Sequence, residues 1–250
     1  MVLLKFILQV QGVLAEFQTL VDPVFSLGTD EVEEFDVDVT ECDQFLDVTV
    51  LADGADRLEL SVLDPGGIER GGDGDELHQT SYIVGRRFAL HRTRSRDEGR
   101  WRVRVRHSAE RAPEETRDSL FDRGREPMPV PAVSGAVAVR GVSTLRLAVT
   151  TAESGGSLHV LAKLTVAGVP VSAGAHMLAV VSPPDSIQFV VPLVQGDGGR
   201  WTAALPLGAG THTVTVKASG VSPLGHRFHR EEMRSYTTPR IAVTRVDSGR

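Results

Sequence analysis

The chain has 250 residues, 41% hydrophobic and 24% charged, with a formal net charge of −6. That length suits one large domain or two ordinary ones, and the composition is that of a packed globular chain rather than a disordered one. The mild charge gives no reason to expect a nucleic-acid partner, no stretch reaches the ~18 consecutive apolar residues of a membrane-spanning helix, and a single cysteine, Cys42, excludes an internal disulfide.

Residues 1–20 read as an N-terminal segment, and 3–20 is the one stretch with a helical reading. Residues 1–15 also invite a signal-peptide reading, with Lys5 near the start and Val13-Leu14-Ala15 as a small-residue cleavage site. Gln9, Gln11 and Gly12 interrupt the apolar run, so a short helix or strand is preferred.

Strand patterns follow in series. Residues 32–39 alternate apolar with acidic side chains, the period of a half-buried strand. Residues 45–51 and 57–63 continue the pattern across a gap of hairpin length, and Asp64-Pro65-Gly66-Gly67 closes it with turn chemistry. Residues 71–75 read as a glycine-rich loop tip, 82–90 as a further strand, and 99–106 as a strand with Trp101, Val103 and Val105 on one side and arginines on the other. Residues 108–131, polar and proline-bearing, read as a long surface loop.

A second cycle covers 136–142, 144–150, 157–166, 175–182, 187–194, 200–205, 210–218 and 228–237, with turns at 167–171 and 196–199. Short strands at this spacing indicate all-β sandwiches. The expected organisation is two tandem β-sandwiches, immunoglobulin-like or jelly-roll-like, over 21–143 and 144–240, with a tail at 241–250.

Charge is divided along the chain. Residues 1–69 hold only Lys5 and Arg57 as basic groups, whereas Arg86, Arg87, Arg92, Arg94, Arg96, Arg100, Arg102, Arg104 and Arg106 cluster later. Either an acidic arm awaits a basic partner, or acidic and basic strands pair within one sandwich. The second reading is simpler. The ridge Arg100, Arg102, Arg104 and Arg106 is nonetheless the one candidate site, for an anionic ligand such as an acidic glycan. Stacking aromatics for nucleic acid are missing beside it, since Trp101 faces the other way.

Other chemistries find little support. Asp30, Glu31, Glu33, Glu34, Asp36 and Asp38 invite calcium, but an extended strand spreads Glu34, Asp36 and Asp38 along its wet face; the loop Asp73-Gly74-Asp75-Glu76 lacks the full EF-hand pattern. His226 and His229 would point to opposite faces of a strand, which argues against shared zinc. Cys42 lies between Glu41 and Asp43, which oppose thiolate formation. There is no Gly-x-Ser-x-Gly, P-loop or dinucleotide fingerprint. Trp101 and Trp201 each follow Gly-Arg and are expected to anchor the two cores.

Gly168-Val169-Pro170-Val171, Gly199-Arg200-Trp201-Thr202-Ala203, the run 210–218 and Gly225-His226-Arg227-Phe228-His229-Arg230-Glu231 resemble immunoglobulin-like modules of bacterial surface proteins. Together with Leu20-Val21-Asp22-Pro23, the strands at 35–40 and 45–51 and the turn Leu63-Asp64-Pro65-Gly66-Gly67, they resemble the β-sandwich region that follows the von Willebrand factor A (VWA) domain in bacterial proteins. The resemblance covers residues 13–238. The Asp-x-Ser-x-Ser metal motif of the A domain itself does not occur. The resemblance therefore implies either an A domain upstream, with residues 1–11 as its last helix, or sandwiches acting alone.

The expectation is a non-catalytic binding or display protein, an accessory region mediating protein–protein interaction or adhesion, with strand addition at an open sheet edge as its mechanism. The alternatives are a module for anionic glycans or calcium, and a structural subunit of a larger assembly. No catalytic residue, metal site or cofactor is assigned, and a protein partner is expected. The compartment stays open, the resemblance favouring the cell surface or exterior.

Overall fold

The computed structural model describes residues 17–70, 80–95, 97–108, 132–154, 156–171, 173–184, 187–206 and 208–238. Strands account for 73% of them, and no helix reaches seven residues. No helix among them is long and apolar enough to cross a membrane. The signal-peptide candidate, the loop 71–75 with Asp73 and Asp75, most of the 108–131 loop and the 241–250 tail lie outside the described residues.

Contacts divide the chain into two units. The first is Met1–Arg146 with Gly220–Arg230, and the second is Leu147–Ser219 with Glu231–Arg250. The segment Gly220–Arg230, read from sequence as part of the second sandwich, thus packs with the first; the side chains responsible are described below.

In the first unit the strands are β1 (Phe17–Val21), β2 (Val24–Leu27), β3 (Val32–Val39), β4 (Asp43–Ala52), β5 (Leu58–Leu63), β6 (Glu69–Arg70), β7 (Ser81–Gly85), β8 (Phe88–Arg94), β9 (Gly99–His107) and β10 (Val133–Ser143). One sheet runs β1-β10-β4-β8-β7, with β2 also on β10, and the facing sheet runs β3-β9-β5-β6. Taking β2, β3, β4, β5, β6, β8, β9 and β10 as strands one to eight gives sheets 1-8-3-6 and 2-7-4-5. That is the jelly-roll order, with β7 added at one edge. The inner faces supply the core: Val37, Leu46, Val48, Leu58, Trp101 and Val137 are all buried.

Few of these pairings are local. β4 pairs with β10 in the register Val48↔Val139, so distant parts of the chain meet in the middle of the sheet. At Gly135 of β10 a Cβ would lie 2.4 Å from the Leu51 carbonyl oxygen and 2.8 Å from the Phe25 ring. Glycine there lets β10 lie between its neighbours.

Several expectations are corrected here. Residues 17–20 are strand, not helix: β1 pairs Phe17 with Val142 and Gln18 with Gly141, and the rest of the proposed 3–20 helix lies outside the described residues. The gap at 52–56 is not a hairpin. β4 and β5 lie in opposite sheets, and the Gly54 and Ala55 amides donate to the Arg86 carbonyl at 3.0 Å, so the chain crosses the sandwich end. Residues 82–90 are not one strand but β7 and β8, paired through a tight turn at Arg86-Arg87. The periodicity masked this turn because apolar residues continue on both sides of it.

The second unit contains β11 (Leu145–Ser154), β12 (Ser157–Val166), β13 (Val169–Pro170), β14 (Ala175–Ser182), β15 (Phe189–Pro192), β16 (Val194–Gln195), β17 (Arg200–Pro206), β18 (Gly210–Val221) and β19 (Arg227–Thr238). β11 begins, and β18 ends, just inside the first unit, and β19 starts there. The sheets run β11-β12-β17-β16 and β15-β14-β18-β19. Lettered A, B, C, C′, D, E, F and G without β13, they are A-B-E-D and C′-C-F-G, the immunoglobulin order. Leu158, Val160, Val181, Trp201 and Val216 are buried between them.

Two details differ from expectation. Ala167 and Gly168, both at positive φ, make a tight turn that returns Val169–Pro170 onto β12 as a short strand. Residues 187–194 split, β15 pairing with β14 and β16 with β17, so the chain changes sheets at buried Leu193. At the E–F corner, His212 near the start of β18 donates through Nε2 to the Gly208 carbonyl at 2.8 Å. A tyrosine often closes this corner in immunoglobulin folds in the same way.

Candidate functional site

The arginine ridge lies on β9, whose inward residues Trp101, Val103 and Val105 are buried while the arginines face solvent. The Trp101 indole N–H donates to the Asp97 carbonyl at 2.8 Å. β9 lies between β3 and β5, in registers that set Asp38 opposite Arg100, Asp36 opposite Arg102 and Glu34 opposite Arg104. Arg104 lies 2.7 Å from Glu34, Arg102 3.1 Å from the same carboxylate, and Arg100 3.4 Å from Asp36 and 3.8 Å from Asp38. Arg106 is 3.9 Å from Glu59. The Arg104 hydrogen bond, with the charges of Arg102 and Arg104, outweighs desolvation and holds the Glu34 carboxyl below its usual value. The structure brings all four ridge residues onto one face and supplies each with an acid, the cross-strand pairing that the sequence suggested. The acids of β3 face these arginines, and among the described residues no three His, Cys, Asp or Glu side chains cluster as a metal site.

A cleft of about 380 Å³ opens beside the ridge, lined by Glu59, Ser61, Glu69, Arg70, Tyr82, His91, Arg104 and Arg106. Arg70 is held against Asp64, and lies 3.8 Å from Asp97. Burial pushes the Asp64 carboxyl up, but hydrogen bonds from the Ile68 amide and Arg70 outweigh it and leave the group below its usual value. The Tyr82 and His91 rings lie 6.2 Å apart, tilted by 60°. Sequence reasoning reached Arg104 and Arg106 but not the other walls, which come from strands far apart in the chain.

β7 borders this cleft and ends its sheet. Its inward residues Tyr82 and Val84 are 40% and 39% exposed, and outward Ile83 is 54% exposed. Apart from the four-residue β2 (Val-Phe-Ser-Leu), the other terminal strands carry features that discourage pairing. β3 bears Glu34, Asp36 and Asp38; β6 and β16 have two residues each; β13 and β15 contain Pro170 and Pro192; and β11 carries Glu153. β7, Ser-Tyr-Ile-Val-Gly, has neither charge nor proline.

The turn Thr40–Asp43 organises a second constellation. Glu41 accepts hydrogen bonds from Ser222 Oγ at 2.8 Å, His226 Nδ1 at 3.0 Å and the Leu224 amide at 3.2 Å. Serine, histidine and glutamate meet here, yet the serine hydroxyl donates to the carboxylate and not to the imidazole. The group therefore lacks the serine–base relay of nucleophilic catalysis and acts as a clamp on the 222–226 turn. Cys42 is buried in the same turn. With Asp43 and Arg230 this clamp fixes Gly220–Arg230 to the first unit.

In the second unit the outer face of β11, β12 and β17 forms a trough of about 600 Å³ with no Lys, Arg, Asp or Glu in its lining, which includes Thr150, Ala152, His159, Leu161, Thr202 and Ala204, with Val194 beside them. Nothing in the strand alternation distinguished this face beforehand.

No protein-family model matches the chain, and no curated protein does. Among solved structures it is similar to a Bacillus licheniformis lipase in its propeptide form, at 12% identity and a TM-score of 0.45, over 88% of this chain and 42% of the lipase. It is also similar to a Ruminococcus gnavus β-glucuronidase in complex with D-glucuronic acid, at 9% identity and a TM-score of 0.25, over 81% of this chain and 35% of that one. The chain thus spans less than half the length of these proteins. At such scores the matches do not bear on its function.

Proposed function

We propose that this is a non-catalytic binding and display protein whose jelly-roll unit receives an extended segment of a protein partner alongside β7. The observation that supports this reading is the edge itself: a five-residue strand terminal in its sheet, exposed, apolar, and without the charge or proline of most other edges. A strand added there gains main-chain hydrogen bonds, while Tyr82 and Val84 on one face and Ile83 on the other select its side chains. The sequence resemblance to sandwiches that follow VWA domains is in keeping with such an accessory role. A fluorescent peptide of alternating threonine and valine tests it by anisotropy. Binding by the full chain that is lost in Ile83→Lys is expected; no binding, or binding unchanged by Ile83→Lys, contradicts it.

The cleft favours a second reading, a small anionic ligand such as an acidic sugar held by Arg106 and Arg104 beside Tyr82. Titration with a sulfated oligosaccharide then gives saturable binding that Arg104→Ala with Arg106→Ala removes. Equal binding by the double variant excludes it.

A further inference from the structure

We infer that β7 also pairs with β7 of a second copy of this chain, forming a weak two-fold dimer in which the two sheets become one. The inference rests on the reading of β7 as an open edge and adds the identity of one occupant.

The strand is complementary to itself. An antiparallel pair centred on Ile83 sets Ile83 against Ile83, Tyr82 against Val84 twice, and Ser81 against Gly85 twice. Aromatic opposite β-branched and β-branched opposite β-branched are favourable cross-strand pairs, and the small residues meet at the ends. On the outward face Ile83 already lies opposite Leu90 of β8, so pairing continues one apolar row from Leu90 through both Ile83 side chains to the second Leu90. The faces also agree, because a two-fold axis through Ile83 keeps both copies of that side chain on the same side of the joined sheet.

Charge does not oppose the arrangement. Arg86 follows the strand, and its counterpart lies six residues away along the pair, roughly 20 Å at strand rise and beyond the screening length of about 8 Å in physiological salt. Arg92, which faces Ser81 across the hairpin, donates to the two Asp47 carboxylate oxygens through Nε and Nη2, each at 2.5 Å. A five-residue strand pair buries little area, in the range of transient contacts, so association is expected only at high concentration.

Sedimentation velocity of the full chain from about 10 µM to about 1 mM tests this, a range that covers transient affinities. The wild type is expected to shift toward twice the monomer mass as concentration rises. Ile83→Lys and Ile83→Glu are each expected to stay monomeric, with unchanged circular dichroism, and an equimolar mixture of the two to associate again. Recovery on mixing requires position 83 to face itself, which general loss of apolar surface does not produce. A wild type that stays monomeric throughout, or a dimer that survives Ile83→Lys, overturns the inference. If the monomeric wild type still binds the threonine–valine peptide at β7, only the dimer fails; if it binds neither, the strand-addition reading fails as well.

Discussion

Arg230 and Asp43 form an ion pair with no exposed surface on either side chain, the arginine Nη2 donating to the Asp43 Oδ1 at 2.7 Å. The remaining polar atoms are also satisfied. Arg230 donates to the His229 carbonyl at 2.7 Å, Ser143 Oγ at 3.2 Å and the Leu145 carbonyl at 3.3 Å, and Asp43 Oδ2 accepts from the Thr40 amide and hydroxyl at 2.8 and 2.9 Å. A buried pair is costly to halve, because the surviving charge keeps its desolvation penalty and loses its partner.

Arg230→Met is therefore expected to lower unfolding free energy by about 3–5 kcal/mol, measured by urea denaturation. The double variant Arg230→Met with Asp43→Leu is expected to lose less than Arg230→Met alone. A larger loss in the double variant would contradict this account of the pair.

The Glu41 clamp carries a pH dependence of definite sign. Burial pushes its carboxyl up, but hydrogen bonds from His226, Ser222 and Leu224 outweigh that and hold it below its usual value. A folded value below the unfolded one means that the stabilisation is full above the unfolded value and is lost as pH falls through the folded one. Asp64, also held below its usual value, acts in the same direction. Between about pH 5 and about pH 3 the urea midpoint should fall, and it should fall less in Glu41→Gln. An equal fall in both would remove Glu41 from the explanation.

Glu34 restrains two arginines of the ridge. Glu34→Ala should free Arg102 and Arg104, so the variant should elute from immobilised heparin at higher salt than the wild type, with little change in thermal stability. Exposed ion pairs of this kind contribute little to folding. Identical elution would show that β3 does not mask the ridge.

Gly135→Ala should destabilise by about 1–3 kcal/mol, the usual cost of overpacking a filled interior, because the new methyl would meet the Leu51 carbonyl and the Phe25 ring. Thermal denaturation reads this directly. A neutral result would mean that β10 and β2 can separate at that point without cost.

Much of the architecture was legible because single-strand periodicity survives without knowledge of partners. Val32–Val39, Ser157–Val166 and Ala175–Ser182 have the bounds that the alternation indicates. The short strands β2 and β6 escaped because four and two residues carry too little pattern, and β1 escaped because its stretch also reads as helix. Cross-strand neutralisation of the ridge was anticipated from the opposite charges of 32–39 and 99–106. The cleft and the buried Arg230–Asp43 pair were not, since each joins residues distant in sequence, and Arg230 sits in 228–237, which reads only as the last strand of the second sandwich. The edge character of β7 depends on sheet order, which local patterning does not contain.

The most direct test of β7 as a binding edge is hydrogen–deuterium exchange of the full chain, with and without the threonine–valine peptide. Strand addition predicts slower exchange of amides in Ser81–Gly85 on adding peptide, with no such change in Ile83→Lys. Unchanged exchange across Ser81–Gly85 at saturating peptide would contradict it.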